Sequence, residues 1–207
     1  KSISENEEGF YLKDVLMQPK QAVFLQFDQQ YKSSTATLFG ATVAHIMCIL
    51  QANQDRGAVF LALDEIINCA PIPKFTELLN TIRSANMPTF LYLQSLEGLN
   101  RLYGANADRL FLGSSNYKVV FRIEDDFTAK EFSKLIGKTE TTYYSYTENV
   151  GQGVSNNETK IRNTSSGYSE STRMEYIVEP DELIHLPKYT AVVMYNGRFG
   201  TLDMPKY

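Results

Sequence analysis

The chain has 207 residues, 43% of them hydrophobic and 21% charged, with a formal net charge of −4. That length suits one domain with an excursion and a proper buried core. The acidic balance argues against a strongly basic nucleic-acid surface over the whole chain, while a local one stays open. No stretch approaches the roughly 18–20 consecutive apolar residues of a membrane span.

The opening "KSISENEEGF" is polar and acidic, unlike a signal peptide or a transit sequence. "AVFLQF" (22–27) follows Pro19 and reads as a buried strand. "STATLFGATVAHIMCILQANQ" (34–54) carries apolar residues at helical spacing, with Ser34 or Thr35 available as an N-cap. "AVFLAL" (58–63) is the next strand, and "PKFTELLNTIRSAN" (73–86) an amphipathic helix with Pro73 near its start. "PTFLYLQ" (88–94) reads as a third strand, "EGLNRLYGANADRLFLGS" (97–114) as one or two short helices, and "YKVVFRI" (117–123) as a fourth strand. "DDFTAKEFSKLIG" (125–137) has acidic residues early and Lys134 late, as a helix dipole favours. Apolar strands separated by helices predict an α/β layer fold with a mainly parallel sheet and flanking helices.

After Gly137 the composition turns to Thr, Ser, Asn and Tyr, with few aliphatics. "TTYYSYT" could make an edge hairpin, but residues 140–172 are expected as a polar, mobile insertion. "MEYIVEPDELIHLP" and "YTAVVMYNGRFG" then supply a short helix and a final strand. Cys48 and Cys69 lie in apolar sequence without metal-ligand spacing and read as reduced, buried thiols.

In a parallel sheet, functional groups gather at the carboxyl ends of strands. Asp64 and Glu65 end one strand, and Gln94 and Ser95 the next. An aspartate there can hold Mg²⁺ on nucleotide phosphates, and the following glutamate can orient or deprotonate an attacking water. Gln94 could sense the γ-phosphate or position that water. The plainer reading is a buried strand emerging at a solubilised surface. Arg83, in the helix between the two strands, is either a solvated arginine complementing the helix dipole or a finger reaching a nucleotide held by a neighbouring subunit. Gly137-Lys138-Thr139 mimics the end of a phosphate loop. Phe132 stands where the first glycine belongs, and the segment follows a helix, so it is a decoy. His45 and His185 have no His or Cys neighbour in sequence and read as structural.

"VFLALDEIINCAPIPKFTELLNTIRSANMPTFLYLQSLEGLNRLYG" resembles the Walker B region and the segment after it in the TraG/TraD-type coupling ATPases of type IV secretion. The likeness continues through "DRLFLGSSNYKVVFRIEDDFTAKEFSKLIGKTE" and "EPDELIHLPKYTAVVMYNGR", and upstream through "DVLMQPKQAVFLQFDQQYKSSTATLFGATVAHIM". The resemblance implies the C-terminal part of a RecA-like nucleotide-binding domain over residues 1–207, a P-loop NTPase sheet lacking the P-loop strand. It implies a homo-hexameric motor at the cytoplasmic face of a bacterial inner membrane. That motor uses ATP and Mg²⁺ to deliver a DNA–relaxase complex, or proteins, to secretion-channel partners. Carried over, Asp64 is the metal and nucleotide carboxylate, Glu65 the catalytic one, Gln94 the γ-phosphate-coupled glutamine and Arg83 the arginine acting across the subunit boundary.

The sequence departs from the family in lacking a Walker A loop and membrane segments, and "DEIINCAPI" lacks the aromatic and glycine many relatives place after the carboxylates. The chain is therefore expected to be a piece of a longer, hydrolysing protein, itself soluble, inactive and without tightly bound ATP. With the P-loop strand missing, direct pairing of "TFLYLQ" with "YKVVFRI" is expected. Two other functions stay open. One is a non-hydrolytic module recognising relaxosome or channel proteins. The other is an α/β enzyme using Asp64, Glu65 and a metal on another substrate.

Overall fold

The computed structural model describes residues 11–26, 32–68, 70–154 and 160–205. They divide into two compact units, Lys1–Lys118 and Val119–Tyr207, where one domain is expected from sequence.

The first unit opens with α1 (Leu12–Met17), then α2 (Lys32–Ala52), β1 (Leu61–Leu63), a 3-10 turn (Ile66–Asn68) and α3 (Phe75–Thr81). It continues through β2 (Thr89–Leu91), α4 (Leu96–Tyr103) and α5 (Ala107–Ser114). β1 and β2 pair in parallel, Leu61 opposite Thr89 and Leu63 opposite Leu91. Two further backbone bonds lengthen the ladder: Leu61 N donates to Pro88 O at 2.9 Å and Tyr92 N to Leu63 O at 3.0 Å.

Helix α2 begins at Lys32, so Ser34 and Thr35 fall inside its first turn and not at the position before it. Its apolar stripe buries Val43, Ile46, Met47 and Leu50, while Cys48 on the outer side is exposed, contrary to the expected burial. Cys69 lies outside the described residues. The window Thr35–Ala52 is long and apolar enough to cross a membrane by length and composition, and a third of it is buried. Gly40 permits a close approach: a Cβ there would stand 3.2 Å from Pro71 O and 3.3 Å from Ala70 O. Around α3, α4 and α5 the rings of Phe75, Tyr103 and Phe111 meet pairwise at 5.4–5.8 Å, and the Tyr103 hydroxyl accepts from Ile72 N at 3.3 Å.

Strand β3 (Tyr117–Val120) spans the boundary, and the second unit continues with α6 (Asp126–Ile136), β4 (Lys138–Val154), β5 (Lys160–Tyr176), α7 (Pro180–Ile184), β6 (Thr190–Tyr195) and β7 (Arg198–Asp203). Helix α6 starts where Asp125 Oδ1 accepts from Thr128 N at 2.7 Å, and it ends at Gly137, whose φ of 114° a side chain would resist. Gly137-Lys138-Thr139 is thus a helix end entering a strand, as the decoy reading requires. Val120, Ile123, Ala129, Ile136, Leu183, Leu186, Val192 and Met194 form the core of this unit.

Four expectations are corrected. The sheet is not clearly mainly parallel: β1–β2 is a parallel pair of three residues each, while β4–β5 and β6–β7 are antiparallel. Residues 22–26 of "AVFLQF" are not a strand, since no segment among the described residues pairs with them, and Phe24 is 85% exposed; Phe27 lies outside the described residues. "TFLYLQ" and "YKVVFRI" do not pair, because β2 joins β1 while β3 joins β6 in the order β3-β6-β7. The "final strand" is a hairpin, closed by Asn196 (φ 50°) and Gly197 (φ 70°). Such left-handed pairs suit the tight turns that match strand twist. The polar segment, in its described residues, is a long two-stranded ribbon with Tyr146 opposite Tyr168.

Candidate functional site

Asp64 and Glu65 follow β1 directly, and both are exposed. Glu65 takes φ 48°, a left-handed conformation that crowds Cβ against the backbone. This breaks the strand and turns the chain into the 3-10 turn, where Asn68 N donates to Glu65 O at 2.8 Å. Ile66 is buried beneath, so the turn is anchored by the core while the carboxylates stay at the surface.

Each oxygen of Glu65 has a donor. Gln94 Nε2 donates to Oε1 at 3.2 Å and Asn68 Nδ2 to Oε2 at 3.0 Å. Gln94 is placed by β2 and by the start of α4. There the Ser95 hydroxyl accepts from Glu97 N at 3.1 Å and from Gly98 N at 3.4 Å, an N-cap that fixes the strand-to-helix turn. Gly98 lies against Ile67: a Cβ at that position would come within 3.0 Å of the Ile67 side chain. The absence of that Cβ lets the helix bearing Gln94 at its foot settle on the turn bearing Glu65.

Asp64 supplies an exposed oxygen donor next to this pair, of the hard type that Mg²⁺ prefers. Among the described residues no three His, Cys, Asp or Glu side chains gather to hold a metal by themselves. The donor set therefore fits an ion held mainly by phosphate oxygens and water, with one protein carboxylate. His45 and His185 are both exposed, and His185 Nδ1 lies 2.8 Å from Asp181 O on its own helix.

Arg83 stands beyond the end of α3, in the turn at 82–86, with its side chain exposed. No ion pair joins it to Asp64 or Glu65 among the described residues. What places this turn is Arg56, a residue the sequence did not single out. Its guanidinium donates to Leu50 O (3.2 Å), Gly57 O (2.7 Å), Ala85 O (2.9 Å) and Asn86 O (3.3 Å). One side chain thus ties the end of α2, the approach to β1 and the Arg83 turn together. Partial burial pulls the guanidinium below its ordinary pKa. Nothing in "NQDRGAV" distinguishes such an arginine from a solvated one.

Residues 58–188 match the family model described as the TraM recognition site of TraD and TraG. No curated protein sequence matches the chain. The fold is similar to that of the bacterial conjugative coupling protein TrwB in its unbound monoclinic form, with TM-score 0.70 and 20% identity over 95% of this chain and 44% of that one. It is equally similar to TrwB in complex with GDPNP and with ADP and Mg²⁺, each at TM-score 0.70 and 19% identity, covering 95% of this chain and 43% of those. The chain spans less than half the length of these structures. With the family match covering more than half of the 207 residues, the chain belongs to the TraG/TraD family of conjugative coupling proteins.

Proposed function

We propose that this chain forms part of a coupling ATPase that uses hydrolysis to deliver a DNA–relaxase complex or protein substrates to a type IV secretion channel. In this reading it works within a RecA-like nucleotide-binding domain, as a homo-hexamer at the cytoplasmic face of a bacterial inner membrane. The observation that carries the reading is the bond from Gln94 Nε2 to Glu65 Oε1, which joins the ends of two adjacent parallel strands. Parallel-sheet sites are built at such ends.

Glu65 is held by two side-chain amides, so its carboxylate is aimed before any substrate arrives. In that position it accepts a proton from an attacking water. Gln94 is exposed, which leaves its amide oxygen accessible to that water or to a phosphate-bound group, and any shift of Gln94 moves Glu65 with it. Asp64 is the chain's ligand for Mg²⁺, whose chemistry when bound is to neutralise charge on the phosphates. Arg83, exposed and anchored through its turn, acts on a nucleotide held by the adjacent subunit. The phosphate cradle is not among the residues of this chain, so ATP is not expected to bind tightly to it alone.

In the parent protein, Glu65→Gln should abolish ATP turnover while leaving nucleotide affinity within about threefold, since size and hydrogen-bonding reach are kept and the base is lost. Turnover at the parental rate in that variant would remove Glu65 from the mechanism.

The match to a TraM recognition site favours a second reading, in which the chain is a non-hydrolytic module recognising TraM-like relaxosome proteins or channel components. That module would bind its partner equally well with Glu65, Gln94 and Arg83 all replaced.

A further inference from the structure

The ribbon of β4 and β5 has two faces of different character. In an antiparallel pair, directly opposed residues share a face and alternate along each strand. One face therefore carries Glu140 opposite Met174, Tyr144 opposite Glu170, Tyr146 opposite Tyr168, and Glu148 opposite Ser166. Tyr144, Tyr146, Tyr168 and Met174 on it are 61–69% exposed. The rings of Tyr144 and Tyr168 stack diagonally, their centroids 5.8 Å apart and their planes 27° from parallel, and both side chains stay exposed. The opposite face holds Thr141, Ser145, Thr147, Gly167, Ser169, Ser171 and Arg173. There Tyr143 is engaged, its hydroxyl donating to the Glu175 carboxylate, a bond that raises the Tyr143 pKa.

From residue 140 to 148 and across the ribbon from 166 to 174, the tyrosine face has three glutamates and no basic residue; Lys138 precedes this stretch and Arg162 and Lys160 follow it in the same register. None of the three is ion-paired among the described residues. Aromatic faces flanked by unpaired carboxylates attract cations, and guanidinium most of all because it stacks and forks at once. The same face already shows this chemistry at its base, where Lys138 Nζ sits 4.4 Å from the centre of the Tyr176 ring. Over this stretch, nucleic acid and anionic membrane would meet repulsion from Glu140, Glu148 and Glu170. A second copy of this ribbon would meet the same charges.

We propose that the tyrosine face of this ribbon, built on Tyr144, Tyr146 and Tyr168 with Glu140, Glu148 and Glu170, is a docking surface for an arginine-bearing, basic peptide segment of a partner protein. The arginines stack on the rings and pair with the carboxylates, while the peptide lies along the ribbon. This surface lies apart from Glu65 and Gln94 in sequence and composition, and the proposal holds whether or not the site hydrolyses ATP.

The test uses the full chain and a fluorescein-labelled acetyl-(Arg-Gly)5-amide peptide, followed by anisotropy at low and physiological salt. Saturable binding is expected, several-fold weaker for the Lys-Gly peptide and absent for the Asp-Gly peptide. Tyr144→Leu with Tyr168→Leu should weaken it about tenfold, because the aliphatic side chains keep strand character but lose the π-face. Glu140→Gln, Glu148→Gln and Glu170→Gln together should weaken it about tenfold and flatten its salt dependence. Ser145→Ala with Ser169→Ala, on the opposite face, should change nothing. No binding by the unaltered chain, equal affinity in either set of variants, or tighter binding of a twenty-residue oligothymidine would each overturn the proposal. Circular dichroism of every variant separates lost binding from lost folding.

Discussion

Gln94 Nε2 donates to Glu65 Oε1 at 3.2 Å, a side-chain bond between residues 29 apart that ties the end of β2 to the end of β1. Gln94→Ala leaves Glu65 with Asn68 as its remaining donor. ATP turnover in the parent should fall about tenfold or more with nucleotide affinity little changed, in line with the loss of a positioning contact. Gln94→Glu should be worse, because it sets a second carboxylate against Glu65. Steady-state turnover beside equilibrium nucleotide binding reads both effects, and an unchanged rate in Gln94→Ala would show the bond to be incidental.

Arg83 is exposed and, among the described residues, forms no ion pair with Asp64 or Glu65. If it acts across a subunit boundary, Arg83→Ala should spare nucleotide binding and lower turnover by about 10³-fold, the scale of a trans-acting arginine. Mixing this variant with one disabled in phosphate binding should restore part of the activity, since some interfaces then hold both intact groups. Parental turnover in Arg83→Ala, or no recovery on mixing, would retire the assignment.

Arg56 should matter for stability more than its unremarkable sequence context suggests. Arg56→Met keeps the aliphatic stem but removes all four hydrogen bonds of the guanidinium, although Leu50 O still accepts from Asn53 N and Asn86 O from Val59 N. A loss of about 2 kcal/mol is expected, discounted for carbonyls that water can reach. Arg56→Lys should recover little, because one ammonium cannot span the same fork. Urea unfolding measures this, and coincident midpoints for the unaltered chain and Arg56→Met would contradict it.

The ribbon should exchange its amide hydrogens faster than β6 and β7. Its described side chains from 142 to 149 and from 165 to 174 are exposed on both faces, so no packed layer resists opening. Isolated two-stranded pairs are marginal in water. Deuterium uptake at 147–149 and 165–172 should complete while the amides of Val192 and Met194, over a buried core, remain protected. Strong protection in the ribbon would point to a bound partner or an ordered interface.

The helices α4 and α6 are legible in the sequence because their capping residues, Ser95 and Asp125, stand directly before amphipathic stretches. The strands are harder to bound. "AVFLAL" and "PTFLYLQ" give three paired residues each, because a strand extends only where a neighbour lines up, and neighbours are not written in a local run of apolar residues. Reading "AVFLQF" as a strand fails for the same reason. The hairpin at Asn196-Gly197 is legible in principle, since that dipeptide between apolar runs is a turn signal, although the apolar run alone reads as a single last strand. At the site, the meeting of Glu65 with Gln94 accords with both lying at strand ends. Asn68 as second donor and Arg56 as anchor are not legible, since both depend on tertiary placement that short-range pattern does not encode.

The left-handed backbone of Glu65 sets two demands on one position against each other. A β-carbon there costs about 1–2 kcal/mol that glycine would not incur. A library of this chain sorted only for resistance to heat should therefore drift at position 65 toward glycine or asparagine. A library of the parent sorted for DNA delivery should hold the glutamate. The two pools, sequenced side by side, would separate what folding asks of this residue from what chemistry asks of it.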